Sequence, residues 1–96
     1  MTILRLTRFS LDAGRTDEML ATRAMLIDAV RAKVPGLTET RLARVDDETW
    51  LDLWRWESAE ALAAALAVAP TMPEAAAAFG MIRDATEERL DLVDER

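Results

Sequence analysis

The spacing of apolar residues changes several times along the chain, and each spacing predicts a different element. From Ile3 to Leu11 nearly every position is apolar or β-branched, and the run ends at the turn signal Asp12-Ala13-Gly14, which predicts a strand. From about Asp17 to Val34 a three-to-four spacing predicts an amphipathic helix, with its repeating positions at Leu20, Ala24, Ile27, Arg31 and Val34. Thr16 is the expected N-cap of this helix, and Pro35-Gly36 is its expected stop.

Two further strands are expected in the middle of the chain. Thr38 to Asp46 alternates without strong hydrophobicity, Asp46-Asp47-Glu48 is a polar turn, and Thr49 to Glu57 is a second, tryptophan-rich run. Together they have the pattern of a β-hairpin. The acidic turn lacks the alternating ligands and the glycine of a calcium loop, as does Glu87-Glu88, so we predict no metal site.

The second half of the chain predicts helices and one last strand. Ser58 is a good N-cap for the alanine-rich segment Ala59 to Val68, which Pro70 ends. Pro73 fits the first turn of another helix that extends to about Asp84. The alternation from Arg89 to Val93 predicts the final strand.

This order of elements predicts an α+β fold in a single domain, residues 1–96. The predicted order is strand, helix, strand, strand, helix pair and strand. This is the ferredoxin-like βαββαβ arrangement, with a four-stranded antiparallel sheet. Right-handed crossovers place all helices on one face of the sheet. Apolar residues nevertheless occupy both parities of the first and third strands, so we expect a homodimer in which the bare sheet faces meet.

Composition narrows the chemistry. The chain contains no Cys, His, Asn, Gln or Tyr, which excludes disulfides, imidazole or thiolate metal sites and His-based catalytic triads. Twelve Lys and Arg against 18 Asp and Glu give a net charge of −6, which disfavours nucleic acid as a partner. Charges close to the first residue argue against a signal peptide or a membrane segment, so a cytoplasmic location is expected. Frequent Arg and Ala hint at a GC-rich bacterial source.

The third strand concentrates the candidate binding residues. Strand alternation places Trp50, Asp52, Trp54 and Trp56 on one face, with Leu51, Leu53 and Arg55 on the other. Three indoles beside one carboxylate could form the wall of a pocket for a flat aromatic ligand, although the same residues could simply fill the core. Phe79 could border such a pocket or belong to an ordinary packing stripe.

Asp52 is the candidate catalytic residue of this cluster. An ionised carboxylate among aromatic rings is costly without a cation, and Arg5 on the neighbouring strand is the expected partner. A carboxylate in such surroundings is a candidate general base, although an Arg–Asp pair is more often structural than catalytic.

The chain resembles the antibiotic biosynthesis monooxygenase family of dimeric α+β barrel proteins. The resemblance rests on Val34-Pro35-Gly36-Leu37, on Trp54-Arg55-Trp56-Glu57-Ser58 and on Ala59-Glu60-Ala61-Leu62. It implies a cavity between sheet and helices in each subunit, with Trp56 matching a strand-end tryptophan of the active cavity. Thr7, a candidate substrate-binding residue, stands where several members have a catalytic asparagine, and residues 69–72 lack the histidine common after the second helix. Without histidine, haem ligation and haem degradation are disfavoured, and no cofactor is expected.

Two functions of different classes follow. The first is a cofactor-independent monooxygenase acting on a planar aromatic or quinol-type molecule, in which Arg5 stabilises negative charge, Asp52 takes the proton, and Trp54 and Trp56 stack on the ligand. The second is a non-catalytic small-molecule-binding or structural homodimer of the same fold. An isomerase or cyclase is a third alternative, which would turn over its substrate without oxygen.

Overall fold

A computed structural model describes all 96 residues and confirms the expected order of elements. The elements are β1 Ile3–Ser10, α1 Thr16–Lys33, β2 Leu37–Arg44, β3 Thr49–Trp56, α2 Ala59–Val68, a 3₁₀ turn Ala69–Thr71, α3 Pro73–Gly80 and β4 Arg83–Asp91. The four strands form one antiparallel sheet in the order β2-β3-β1-β4. The fold is therefore the ferredoxin-like α+β arrangement.

The register between β1 and β3 fixes which side chains face the helices. Ile3 pairs with Trp56, Arg5 with Trp54, Thr7 with Asp52 and Phe9 with Trp50. These cross-strand pairs share the inner face of the sheet, which the helices cover. The predicted parity of the three tryptophans is therefore confirmed.

The buried stripe of α1 differs from the predicted one. The helix buries Met19, Ile27 and Val30, whereas the predicted core position Leu20 is 45% exposed. Thr16 is the first helical residue and not the N-cap; the cap position belongs to Arg15, whose side chain makes no cap hydrogen bond. Arg23, which interrupts the apolar positions on the same face, concealed the true stripe.

The boundaries of the last two elements also differ from prediction. α3 ends at Gly80 and not near Asp84, and β4 begins at Arg83, six residues before the predicted strand. All nine residues of β4 are exposed, since it is an edge strand that pairs with β1 alone. A strand held by main-chain bonds at a solvated edge needs no apolar alternation, and charged side chains there discourage pairing with other sheets.

Two local predictions are confirmed. The Ser58 side chain caps α2 by accepting a hydrogen bond from the Ala61 backbone N–H, at 3.1 Å. The acidic segment between β2 and β3 is a turn, in which the Asp46 carboxylate accepts from the backbone N–H groups of Glu48 and Thr49. Those bonds, led by the one from Glu48, lower the pKa of Asp46 below its ordinary value.

The outer face of the sheet carries no helix. Four leucines, Leu4, Leu6, Leu51 and Leu53, occupy the outward parity of β1 and β3 and are partly exposed. The C-terminal residues lie along the same face, where Glu95 pairs with Arg55. None of the helices is by itself long and apolar enough to cross a membrane; the pair Ala59–Thr71 and Pro73–Gly80 has the required length and composition but bends by 83°.

Gly36 lets the chain leave α1 and pass beside α2. It has φ +112°, and a Cβ built on it would lie 2.5 Å from the Ala61 Cβ. Gly14 has φ +89° with no atom within 4 Å of such a Cβ. Both glycines therefore adopt a positive φ, but only at Gly36 would an added Cβ also collide with a neighbouring side chain.

We predict that Gly36→Ala destabilises the protein more than Gly14→Ala. The Gly14 variant should lose about 1 kcal/mol from the positive φ alone. The Gly36 variant should lose about 2–4 kcal/mol, because overpacking against Ala61 adds to that cost. Urea unfolding of both variants measures the difference, and equal losses would show that the contact with α2 is unimportant.

Candidate functional site

A cavity of about 480 Å³ lies between the inner face of the sheet and the helices. Its size falls in the range of small-molecule sites. Of its 23 lining residues 17 are hydrophobic, so the space suits an apolar ligand. The family resemblance in the sequence implied a cavity between the sheet and the helices.

The cavity exists because large side chains on the sheet face small ones on the helices. β3 contributes Trp54 and Trp56, whereas α2, the 3₁₀ turn and α3 contribute mainly alanines: Ala65, Ala69, Ala75, Ala76 and Ala78. The buried core is accordingly divided into a cluster of ten residues around Trp56 and a cluster of four around Trp50. The cavity is lined by members of both clusters.

The aromatic walls differ in their access to a ligand. The Trp54 and Trp56 rings lie 6.4 Å apart between centroids, at an angle of 35°. Trp56 is only 2% exposed and forms part of the closed core, whereas Trp54 is partly exposed. Phe79 and Leu66 line the cavity yet are 48% and 45% exposed, so they mark its opening to solvent.

Asp52 lies in the cavity wall, but its partner is not the one predicted. Arg23 of α1 binds it with two hydrogen bonds, from Nε to Oδ2 at 3.0 Å and from Nη2 to Oδ1 at 2.9 Å. The Trp54 indole Nε1 also donates to Oδ1, at 2.9 Å. Both side chains of the ion pair are mostly buried, at 18% and 14% exposure. The network holds a guanidinium and an indole in fixed positions at the cavity.

Arg5 also lines the cavity, but it pairs with Glu87 of β4. The predicted ion pair between Arg5 and Asp52 is therefore wrong. Across the sheet, Asp52 lies opposite Thr7, whereas Arg5 lies opposite Trp54 and next to the acidic edge strand. The nearer carboxylate for Arg5 is the one on β4.

Trp50 belongs to the inner face but not to the cavity wall. It is 7% exposed in the small cluster with Phe9, Leu11 and Met19, and the Arg44 guanidinium lies 5.6 Å from its ring centroid. Its predicted place in a ligand pocket is corrected to a core position. The other predicted binding residues, Thr7, Trp54, Trp56 and Phe79, all line the cavity.

Sequence reasoning missed Arg23. The residue follows Met19 by four positions and precedes Leu26, Ile27 and Val30, so it interrupts the stripe that faces the sheet. A lone arginine inside an apolar stripe is the signal that could have identified it, because a buried guanidinium requires a partner. This signal becomes visible only when Met19, Ile27 and Val30 are recognised as the buried residues of α1.

The chemical repertoire of the site is narrow. The polar side chains of the wall are two arginines, two threonines and one aspartate, namely Arg5, Arg23, Thr7, Thr22 and Asp52. No three acidic side chains in the structure are grouped so that they could hold a metal ion. The wall can exclude water, stack against a flat ligand through Trp54, and place positive charge beside it.

Comparison with known proteins gives a family for this fold and cavity. The family model described as antibiotic biosynthesis monooxygenase matches residues 2–80. The chain belongs to the antibiotic biosynthesis monooxygenase family. Among curated proteins, none matches this sequence.

Solved structures share the fold at low sequence identity. SnoaB, a cofactor-independent oxygenase from Streptomyces nogalater, is 20% identical with a TM-score of 0.78, over 98% of this chain and 95% of that chain. Rv0793 from Mycobacterium tuberculosis is 18% identical with a TM-score of 0.71, over 99% and 98%. A NIPSNAP family protein from Agrobacterium tumefaciens is 14% identical with a TM-score of 0.68, over 97% and 87%. These similarities show a shared fold.

We predict that Arg23 and Asp52 are energetically coupled. In a double-mutant cycle with Arg23→Ala and Asp52→Ala, the coupling energy should be about 1–3 kcal/mol, because each single substitution leaves a mostly buried charge without its partner. The exposed pair Arg15 and Glu18, treated in the same way, should show no measurable coupling. Urea unfolding of the seven proteins, with the wild type common to both cycles, gives both values, and equal coupling in the two cycles would contradict the network.

Proposed function

We propose that the protein binds a planar aromatic small molecule in the cavity and oxidises it with molecular oxygen, without a cofactor. The observation that supports this most directly is the apolar cavity beside Trp54, bordered by an arginine. Membership of the family and the shared fold with a cofactor-independent oxygenase support the same class of reaction.

The shape and polarity of the cavity support a flat, mostly apolar ligand. Trp54 offers a partly exposed ring, and the five alanines in the opposite walls leave room for a fused-ring system. Phe79 and Leu66 stand at the opening, where they can cover the ligand and keep water away. Trp56, almost wholly buried, lies next to Trp54, with ring centroids 6.4 Å apart.

The proposed reaction needs no reductant other than the substrate. A quinol or an anthrone loses a proton to give an anion, which transfers an electron to O₂ directly. In an anthrone, a CH₂ group becomes a carbonyl: one oxygen atom enters the product, the other leaves as water, and the substrate supplies all four electrons. A quinol that becomes a quinone supplies two electrons and two protons, and O₂ leaves as H₂O₂.

The residues take part in this scheme through charge and position. Arg5 can stabilise the substrate anion, and Thr7 beside it can donate or accept a hydrogen bond. Asp52 already accepts three hydrogen bonds, so the role that the geometry supports is to position Trp54 and Arg23. No wall residue is then assigned to take the proton, which favours substrates that are ionised before they enter the cavity.

A second candidate function is binding without catalysis. The hydrogen bonds of Asp52 favour this function. Asp52 is the only carboxylate in the wall, and both of its oxygens accept hydrogen bonds from the protein. No other general base lines the cavity. In that case the same ligand would be held but not consumed.

The proposal includes a homodimer formed through the outer face of the sheet. The four partly exposed leucines on β1 and β3 form an apolar strip that a second copy would cover. A cytoplasmic, bacterial setting completes the proposal, supported by the absence of cysteine and by the bacterial sources of the similar structures.

We predict that a cavity-filling substitution slows turnover, whereas a substitution on the exposed side of the same helix does not. Ala65 lines the cavity, whereas Ala64 on the same helix is exposed. In an oxygen electrode with anthrone and a panel of quinols, the wild type and Ala64→Leu should consume one O₂ per substrate oxidised. Ala65→Leu should be at least about tenfold slower, since the added side chain occupies the ligand space.

Tryptophan fluorescence in the same samples separates the two functions. Quenching by a ligand that is not consumed would support binding without catalysis and exclude the oxygenase for that ligand. Equal turnover by Ala65→Leu and Ala64→Leu would place the reaction elsewhere on the molecule.

A further inference from the structure

The cavity wall is rich in unused hydrogen-bond donors and poor in free acceptors. Arg23 and Arg5 each use only part of the guanidinium in contacts within the protein. Both oxygens of Asp52, the one carboxylate of the wall, are already engaged. A polar group on a ligand in this cavity would therefore meet N–H donors, and the matching group is an oxygen acceptor.

The geometry of Arg23 is more specific. Asp52 binds the side edge of the guanidinium, through Nε and Nη2. The end edge, made of Nη1 and the second hydrogen of Nη2, has no partner in the chain. Nη1 is not among the enclosed polar atoms without a hydrogen bond, which are the indole nitrogens of Trp50 and Trp56, so it keeps some accessible surface, and Arg23 lines the cavity. Such an edge matches the two oxygens of a carboxylate.

Arg5 adds a second positive group to the same wall. One of its terminal nitrogens, Nη2, bonds to Glu87, while Nε and Nη1 have no partner in the chain. The side chain is 23% exposed. The two arginines have no net charge together with their partners Asp52 and Glu87. Each carboxylate is bonded to its arginine, whereas both arginines keep N–H donors without a partner in the protein.

We propose that Arg23 is a specificity-determining residue that anchors the carboxylate of a planar aromatic acid, with Arg5 adding positive charge nearby. This inference rests on the proposed function, because it needs an aromatic ligand in the cavity, and it adds the class of that ligand. Asp52 acts as a positioning residue, since it fixes the orientation of the Arg23 end edge.

The test compares three probes of the same ring system by quenching of tryptophan fluorescence. These are anthracene-2-carboxylate, the neutral anthracene-2-carboxamide and 2-hydroxyanthracene. The wild type should bind the carboxylate at least about tenfold more tightly than either of the others, because a bond between two charged groups is stronger than one with a neutral partner. This preference is measured on the unaltered protein and needs no variant to fold.

Variants assign the preference to Arg23. The double variant Arg23→Gln with Asp52→Asn removes both charges of the pair while keeping its size, and it should bind all three probes with similar affinity. Arg31→Gln makes the same change on the exposed side of α1 and should keep the wild-type preference. Retained preference in the double variant would overturn the role of Arg23.

The outcomes separate this inference from the proposed function. Equal binding of carboxylate and carboxamide by the wild type would overturn the inference but leave the aromatic site standing. Equal binding of carboxylate and phenol would overturn the choice of a carboxylic acid. No binding of any probe would overturn both.

Discussion

The contrast in side-chain size between β3 and the helices that cover it determines the rest of this structure. Alternation along β3 turns Trp54 and Trp56 toward the helices, and five of the nine wall residues from α2, the 3₁₀ turn and α3 are alanines. Close packing would require large residues on one side to be met by residues that fill the remaining space on the other. Here they are not, so the core divides into two clusters with a cavity between them. A cavity is thus a direct product of the composition of α2 and α3.

The polar network at the cavity follows from the same arrangement. The parity that places the tryptophans inward also places Asp52 inward, where an ionised carboxylate must have partners. Arg23 and the Trp54 indole supply them, and the three side chains fix one another. The consequence for chemistry is that the carboxylate is occupied, whereas the guanidinium keeps donors free. The site is therefore suited to binding an acceptor or an anion more than to removing a proton.

Local patterns sufficed to predict most of the fold and part of the site. The alternation in Thr49–Trp56 gave the correct inner face, and Ser58 correctly marked the start of α2. The partner of Asp52 could not be found in this way, because cross-strand reasoning considers neighbours in the sheet, and the true partner comes from a helix above it. β4 was placed too late because an exposed edge strand is selected for charge and main-chain pairing and leaves no apolar alternation to detect. Trp50 was predicted to share the pocket with Trp54 and Trp56, because strand alternation shows which face of the sheet a side chain occupies but not where along the strand the cavity lies.

Aromatic ligands are expected to bind between the sheet and the helices, and intermolecular NOEs test this most directly. The sample is protein with ¹³C-labelled methyl groups on Met and Leu, saturated with anthracene-2-carboxylate. We expect NOEs from the anthracene protons to the methyl groups of Met19, Met72 and Leu62, which line the cavity. NOEs confined to Leu4, Leu51 and Leu53 would place the ligand on the outer face of the sheet and contradict the account.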